Sequence, residues 1–235
     1  MKTLRLIAAA CVVLLLTACG ARPALRLNRN GSGRFDMKLQ LARPFVDYLL
    51  DLGEVTGMFE SRDKAVLFDL PVIKKILTRY PGVKVNALTA SPAGDLALSL
   101  SFTDVTVFTR AGGLWPDGSP LTYTTSPEHT LRLRLDKTVM NGILTSFFNF
   151  KSSELEVFLP REKESRAEYE ENLDFALDGG AKLFRDSSIA FQVTVDGTIV
   201  KHNGALQSKN TVQFDVPLGT LLFLEKPVEY YIVFK

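Results

Sequence analysis

The chain has 235 residues, of which 46% are hydrophobic, 23% charged and 10% aromatic, so it is neither disordered, collagenous nor a coiled coil. A formal charge of +2 makes no field of the kind that gathers nucleic acid, and no nucleic-acid partner is expected. With 2 Cys and 2 His it has no disulfide scaffold and little to build a zinc centre, whereas 16 Phe are ample for a core.

At the start, Lys2 and Arg5 precede an unbroken apolar run from Leu6 to Leu16. A membrane-spanning helix needs roughly 20 such residues. This shorter run matches the basic and apolar regions of a secretory signal. Leu16-Thr17-Ala18-Cys19-Gly20 follows and resembles the bacterial lipobox. The resemblance implies that the Cys19 thiol receives a diacylglyceryl group. It also implies cleavage just before Cys19 and, often, acylation of the new amino group. Residues 1–18 are then a lipoprotein signal peptide, 19–30 a lipidated tether and 31–235 one domain. Lys2 and Arg5 leave with the signal and no acid does, so 28 basic residues against 26 acidic become 26 of each. Cys11 leaves too and Cys19 carries lipid, so no thiol remains for catalysis, a disulfide or a metal. Two or three acyl chains exceed the reversible binding of one, so the anchor should be permanent.

Residues 20–30 show no clear period, which is the basis for reading a tether. Asn30-Gly31-Ser32-Gly33 is a turn signal. Phe35, Met37, Leu39 and Leu41 then alternate with Arg34, Asp36, Lys38 and Gln40, a strand with one wet face. Pro44 suits the first turn of a helix with Phe45, Leu49 and Leu52 on one side. Asp69 is a helix cap, followed at helical spacing by Val72, Ile73, Ile76, Leu77 and Tyr80 and stopped by Pro81-Gly82. Val83 to Ala90 and Asp95 to Phe102 form a hairpin across Ser91-Pro92-Ala93-Gly94. Asp104 marks a bulge before Val105–Phe108.

Residues 110–120 have loop composition. Leu131, Leu133 and Leu135 make a strand, and Asp136 caps a helix bearing Val139, Ile143 and Phe147. A strand followed at once by a helix thus occurs near 34–52 and near 130–148, a candidate βα repeat. Tyr169, Leu173, Ala176, Leu177 and Phe184 mark an amphipathic helix that Gly179-Gly180 weakens or breaks. Ile189, Phe191, Val193 and Val195 alternate in a strand closed by the turn dipeptide Asp196-Gly197. Strands near 198–203, 210–216 and 228–234 follow, with turns at Asn203-Gly204 and Pro217-Leu218-Gly219. Clean alternation favours antiparallel pairing. The expected class is α+β, a twisted, mainly antiparallel sheet packed against several helices.

Asn30-Gly31-Ser32-Gly33, the strand and helix after it, Tyr169 to Leu173, Val193 to Ile199, His202-Asn203-Gly204 and Asn210-Thr211-Val212 together resemble the LppM-type lipoprotein domain of bacteria. Asp196 stands where that pattern commonly has Pro. The resemblance implies a curved sheet with helices that shelter an envelope lipid, and no known enzyme chemistry.

No metalloprotease, nucleophile-elbow, phosphate-loop or EF-hand motif occurs. His129 opens a strand and His202 adjoins a turn, so each reads as a surface or turn histidine. Ser152-Ser153 and Ser187-Ser188 read as caps and turns. Glu168, Glu170 and Glu171 sit where a helix dipole favours acids. Trp115, in a loop between prolines, reads as a ring that pins its own loop, or else as a membrane-dipping aromatic. No cofactor and no metal are expected. The one assigned site is the lipid attachment at Cys19, and ligand-binding residues stay unassigned. The sequence therefore points to a lipid-anchored, non-enzymatic envelope protein on the cell membrane or outer membrane, facing outward from the cytoplasm. Its ligand would be a lipid or another hydrophobic envelope molecule. In that case Val72, Ile76 and Tyr80 on one helix and Val139, Ile143 and Phe147 on another would face the sheet with a gap between them. The alternatives are a module that binds an envelope protein and, last, a hydrolase of envelope polymers.

Overall fold

The computed structural model describes residues 20–57, 59–92, 94–108, 121–137, 160–161, 164–177 and 181–235. Among the described residues, eleven strands form two sheets, ordered β3-β4-β2-β1-β7-β10-β9 and β5-β6-β11-β8. The large sheet contains β1 (Gly20–Leu27), β2 (Gly33–Gln40), β3 (Val83–Ala90), β4 (Asp95–Phe102), β7 (Ser188–Val195), β9 (Ala205–Ser208) and β10 (Thr211–Pro217). The small sheet contains β5 (Leu121–Thr124), β6 (His129–Leu135), β8 (Ile199–His202) and β11 (Val228–Phe234). Five helices are described: α1 (Arg43–Val55), α2 (Leu70–Leu77), α3 (Arg166–Ala176), α4 (Ala181–Asp186) and α5 (Leu218–Leu222). The class is α+β, as expected, but the strands make two sheets rather than one.

The stretch expected as a tether is a central strand. β1 pairs antiparallel with β2 from Gly20↔Gln40 to Leu27↔Gly33, and parallel with β7 from Gly20↔Ser188 to Leu27↔Val195. Among the described residues this is the one parallel pairing, so the sheets are mainly antiparallel. The ladder to β7 skips Arg22 and Pro23, and proline has no N–H to give there. The Asn30–Gly33 turn is built as its composition suggests. Asn30 Oδ1 accepts from the Ser32 N–H at 3.0 Å, and Gly31 takes a φ of 82°.

One apolar face of the large sheet carries the core. Leu25, Leu27, Leu96, Leu98, Leu100, Phe102, Val193, Val195, Val212, Phe214 and Val216 are all buried in a single cluster. Over it α1 places Phe45, Val46, Leu49 and Leu50, and α2 places Ile73 and Leu77. Asp69 caps α2 as expected, its carboxylate accepting from the Val72 N–H at 2.9 Å. Val72 itself is 44% exposed, because Ile73 and Leu77 hold the inward positions one turn apart. Val139, Ile143 and Phe147, Trp115, Ser152-Ser153 and the helix of the second candidate βα unit lie outside the described residues, while its strand is β6.

The small sheet joins the same cluster through Leu131, Leu135, Ile232 and Phe234. Phe214 of β10 meets Tyr230 of β11 with ring centroids 4.9 Å apart. The chain passes from the large sheet to the small one at Asp196-Gly197. A Cβ on Gly197 would run into the Lys235 carbonyl oxygen, so only glycine lets the crossing pass so close.

Three local expectations shift. Val105–Phe108 is a 3-10 turn rather than a strand beyond a bulge, since Asp104 Oδ1 accepts from the Thr106 N–H at 2.8 Å. Pro217-Leu218-Gly219 opens α5 instead of a turn. The helix expected through Phe184 is two helices, α3 ending at Ala176 and α4 starting at Ala181 on either side of Gly179-Gly180.

Candidate functional site

Side chains alternate along a strand, so burying Leu25 and Leu27 turns Arg22, Ala24 and Arg26 to the other side. The same parity brings up Arg34, Asp36 and Lys38 on β2, Ala97, Ser99 and Ser101 on β4, and Lys84 on β3. Register then sorts this face into rows. Arg22 is directly opposite Lys38, and Arg26 directly opposite Arg34. Arg34 in turn faces Ser101, which faces Lys84. Between the two basic rows run Ala24, Asp36, Ser99 and Ala87.

Two like-charged pairs are therefore juxtaposed around Asp36, and the same parity places Asp95 of β4 and Asp215 of β10 on this face as well. Like charges directly opposite on a sheet are destabilising. Arg34 turns to Asp36, with Nε 2.8 Å from a carboxylate oxygen. No ion pair given for Arg22, Arg26, Lys38 or Lys84 among the described residues offsets the remaining cations. All four are exposed, as is Arg34. Small side chains dominate the middle row, where Ser99 is only 8% exposed. Its hydroxyl has no hydrogen-bond partner among the described residues. The arrangement is a face rich in cations over β1, β2 and β3. It can hold anionic groups, and it presents no activated nucleophile.

The residues singled out in the sequence fall elsewhere. Cys19 lies outside the described residues, and β1 begins at the very next one, Gly20. His129 stacks on Phe234 at 5.0 Å, and its Nδ1 is 2.8 Å from the Tyr123 hydroxyl. That hydroxyl also donates to the Arg29 carbonyl at 3.4 Å, so the group fastens the small sheet to the β1–β2 turn. Burial, helped by the Asp104 charge, raises the Tyr123 phenol above its ordinary value and keeps it protonated. His202 holds its own turn, Nδ1 lying 2.9 Å from the Gly204 carbonyl oxygen. Ser187 is buried at the base of α5, where its carbonyl accepts from the Leu218 N–H.

Glu168 forms a capping box with Ser165, accepting from the Ser165 N–H at 2.8 Å. The hydrogen bonds from Ser165 hold its carboxyl below the usual range. Glu170 pairs with Arg166 at 3.0 Å and with Arg185 of α4 at 3.3 Å. Glu168 is thus committed to the cap of α3, and Glu170 to ion pairs within α3 and with α4. Among the described residues, no group of three or more His, Cys, Asp or Glu is placed to hold a metal ion. Nor, among them, is any helix long and apolar enough to cross a membrane.

No family model matches the chain, and no curated protein matches it. Among solved structures, it is similar to the folded domain of the LppM protein of Mycobacterium tuberculosis, determined by NMR. The two share 13% identity at a TM-score of 0.41, over 93% of this chain and 90% of that one.

Proposed function

We propose that this chain is a lipid-anchored protein of the bacterial cell envelope that works by binding rather than by catalysis. The observation that carries the reading is the junction at residue 19. A lipobox-like Leu16-Thr17-Ala18-Cys19 abuts β1, a strand at the centre of the large sheet. Lipid on Cys19 would hold the folded domain against the bilayer with no slack between them. A lipid or other hydrophobic envelope molecule is the ligand class proposed.

A second reading, a module that binds another envelope protein, has its own support. Phe175 on α3 is 92% exposed and Leu206 on β9 is 52% exposed, and each offers apolar area outward. Val72 also points away from the core, so it does not line an interior gap.

Metabolic labelling with palmitate tests the anchor. The wild-type chain and Cys11→Ala should incorporate label, whereas Cys19→Ala should lose it and accumulate uncut precursor. Label retained on Cys19→Ala would sink the assignment. Native mass spectrometry of the protein from its own cells separates the ligands. A co-purifying lipid supports the first reading, and a stoichiometric protein partner supports the second.

A further inference from the structure

We infer that the basic face of the large sheet lies flat on a membrane surface rich in acidic phospholipid headgroups. The inference rests on the proposed anchor at Cys19 and adds an orientation to it. Three observations lead there. The described residues begin at Gly20, the first residue of β1 and the one that follows Cys19, so an acylated Cys19 pins that strand to the bilayer. β1 and its neighbour β2 together put Arg22, Arg26, Arg34 and Lys38 on one face against Asp36, and Lys84 of β3 extends the outer row. All five cations are exposed, and two pairs of them stand directly opposite each other, with only Arg34 given an ion-pair partner, Asp36, among the described residues. An acidic bilayer supplies the missing counter-charge along a plane, which suits a sheet.

Distance decides between flat and end-on contact. Arg22 is three residues from Cys19, at most about 10 Å, and Lys38 is directly across from it. Both feel the headgroups however the domain tilts. Arg26 is seven residues away, roughly 23 Å along the strand, beyond a Debye length of about 8 Å. The row of Arg26, Arg34 and Lys84 therefore meets the membrane only if the strand lies down on it. The mature chain carries balanced charge overall, so attraction to an acidic surface has to come from such a local patch rather than from net charge.

Lysine footprinting reads this directly. The full, acylated chain is placed in vesicles of phosphatidylcholine alone, or of phosphatidylcholine with phosphatidylglycerol. Amine acetylation is then followed by mass spectrometry at Lys38, near the anchor, and at Lys84, in the distant row. Lys75 on α2 and Lys201 on β8 are exposed references off this face. Flat docking predicts severalfold slower modification of both Lys38 and Lys84 on the acidic vesicles only. It also predicts recovery in molar salt, where screening shrinks to about 3 Å, and unchanged references. Arg26→Glu should restore Lys84 while sparing Lys38. Protection of Lys38 alone would mean end-on contact and would overturn the inference. Equal modification on both vesicles, or equal slowing of the references, would overturn it too. Intact mass reports the anchor separately, since absence of an acyl group on Cys19 refutes the proposed function. The unanchored chain added to the same vesicles would then decide the docking by the same two lysines.

Discussion

The two faces of the large sheet come from the same strands and obey opposite rules. On one, Leu25 and Leu27 of β1 and Leu96, Leu98 and Leu100 of β4 are sealed under helices and the second sheet. On the other, Arg22 and Arg26 of β1 are exposed cations set in register against Lys38 and Arg34 of β2, while β4 contributes Asp95, Ala97, Ser99 and Ser101. The first face is explained by folding alone, because apolar area removed from water holds the domain together. The second is not, since juxtaposed like charges weaken a sheet. A face that costs stability and is nonetheless built points to what the domain meets outside itself.

Both faces depend on β1, so the largest expected effect is its removal. A chain beginning at Gly31, where the sequence alone puts the domain boundary, should show no cooperative thermal melt. It would lack the strand between β2 and β7, and so divide the large sheet into β3-β4-β2 and β7-β10-β9. A chain beginning at Gly20 should melt cooperatively, in reducing buffer and in the presence of chelator alike. Circular dichroism on the pair checks this. A stable fold from Gly31 would show that β1 is an accessory strand.

Within β1, neighbouring substitutions should separate the faces. Leu27 is 1% exposed, and Leu27→Ala should cost about 2–5 kcal/mol in a denaturant titration, through lost burial and the cavity left behind. A loss under about 1 kcal/mol would mean that the apolar face is loosely packed there.

How much of this was legible in the sequence depends on the range of the forces involved. β2, β3 and β4 are readable because period-two alternation is local, and α2 because Asp69 caps it through its own neighbours. β1 is not, because Pro23 argues against a central strand and only Leu25 and Leu27 hint at alternation. Its parallel pairing with β7 joins residues far apart in the chain, a contact with no local signature. The candidate site was hidden for the same reason. Arg34, Asp36 and Lys38 are visible as a wet strand face, but Arg22 and Arg26 stand in an apparent tether. Only register shows that each faces another cation.

The apolar side should also leave a mark at high pH. Burial pushes the Tyr169 phenol well above its ordinary value of 10.0, helped by the Glu164 charge. Tyr48, Tyr123 and Tyr230 are raised by burial in the same direction. Below pH 10 the phenol is protonated whether folded or not, so its contribution is fully present. Above that value the unfolded chain ionises first while the folded one keeps its proton, and stability falls. The loss is at most about 1.4 kcal/mol per pH unit for one such group. Tyr169→Phe should flatten part of the alkaline limb of a melting-temperature profile. An unchanged slope would show that Tyr169 ionises freely in the fold.

The smallest effect discriminates most between the faces. Arg26→Gln keeps part of the side-chain stem while removing one of two charges placed in register. If the basic face holds the fold together, this loss should destabilise. If the face is instead set for an outside anion, stability should stay level or rise by a few tenths of a kcal/mol at low salt. Any gain should shrink as salt is added, because screening already quiets the pair. Arg34 limits the gain, since its guanidinium leans on Asp36 at 2.8 Å and so draws charge away from Arg26. Arg34→Gln should therefore gain less than Arg26→Gln, because it breaks that ion pair as it relieves the repulsion. Thermal melts of the two variants across a salt series give the comparison. A drop of more than about 1 kcal/mol for Arg26→Gln would make the basic face part of the scaffold, and would remove the argument that its cations await a partner.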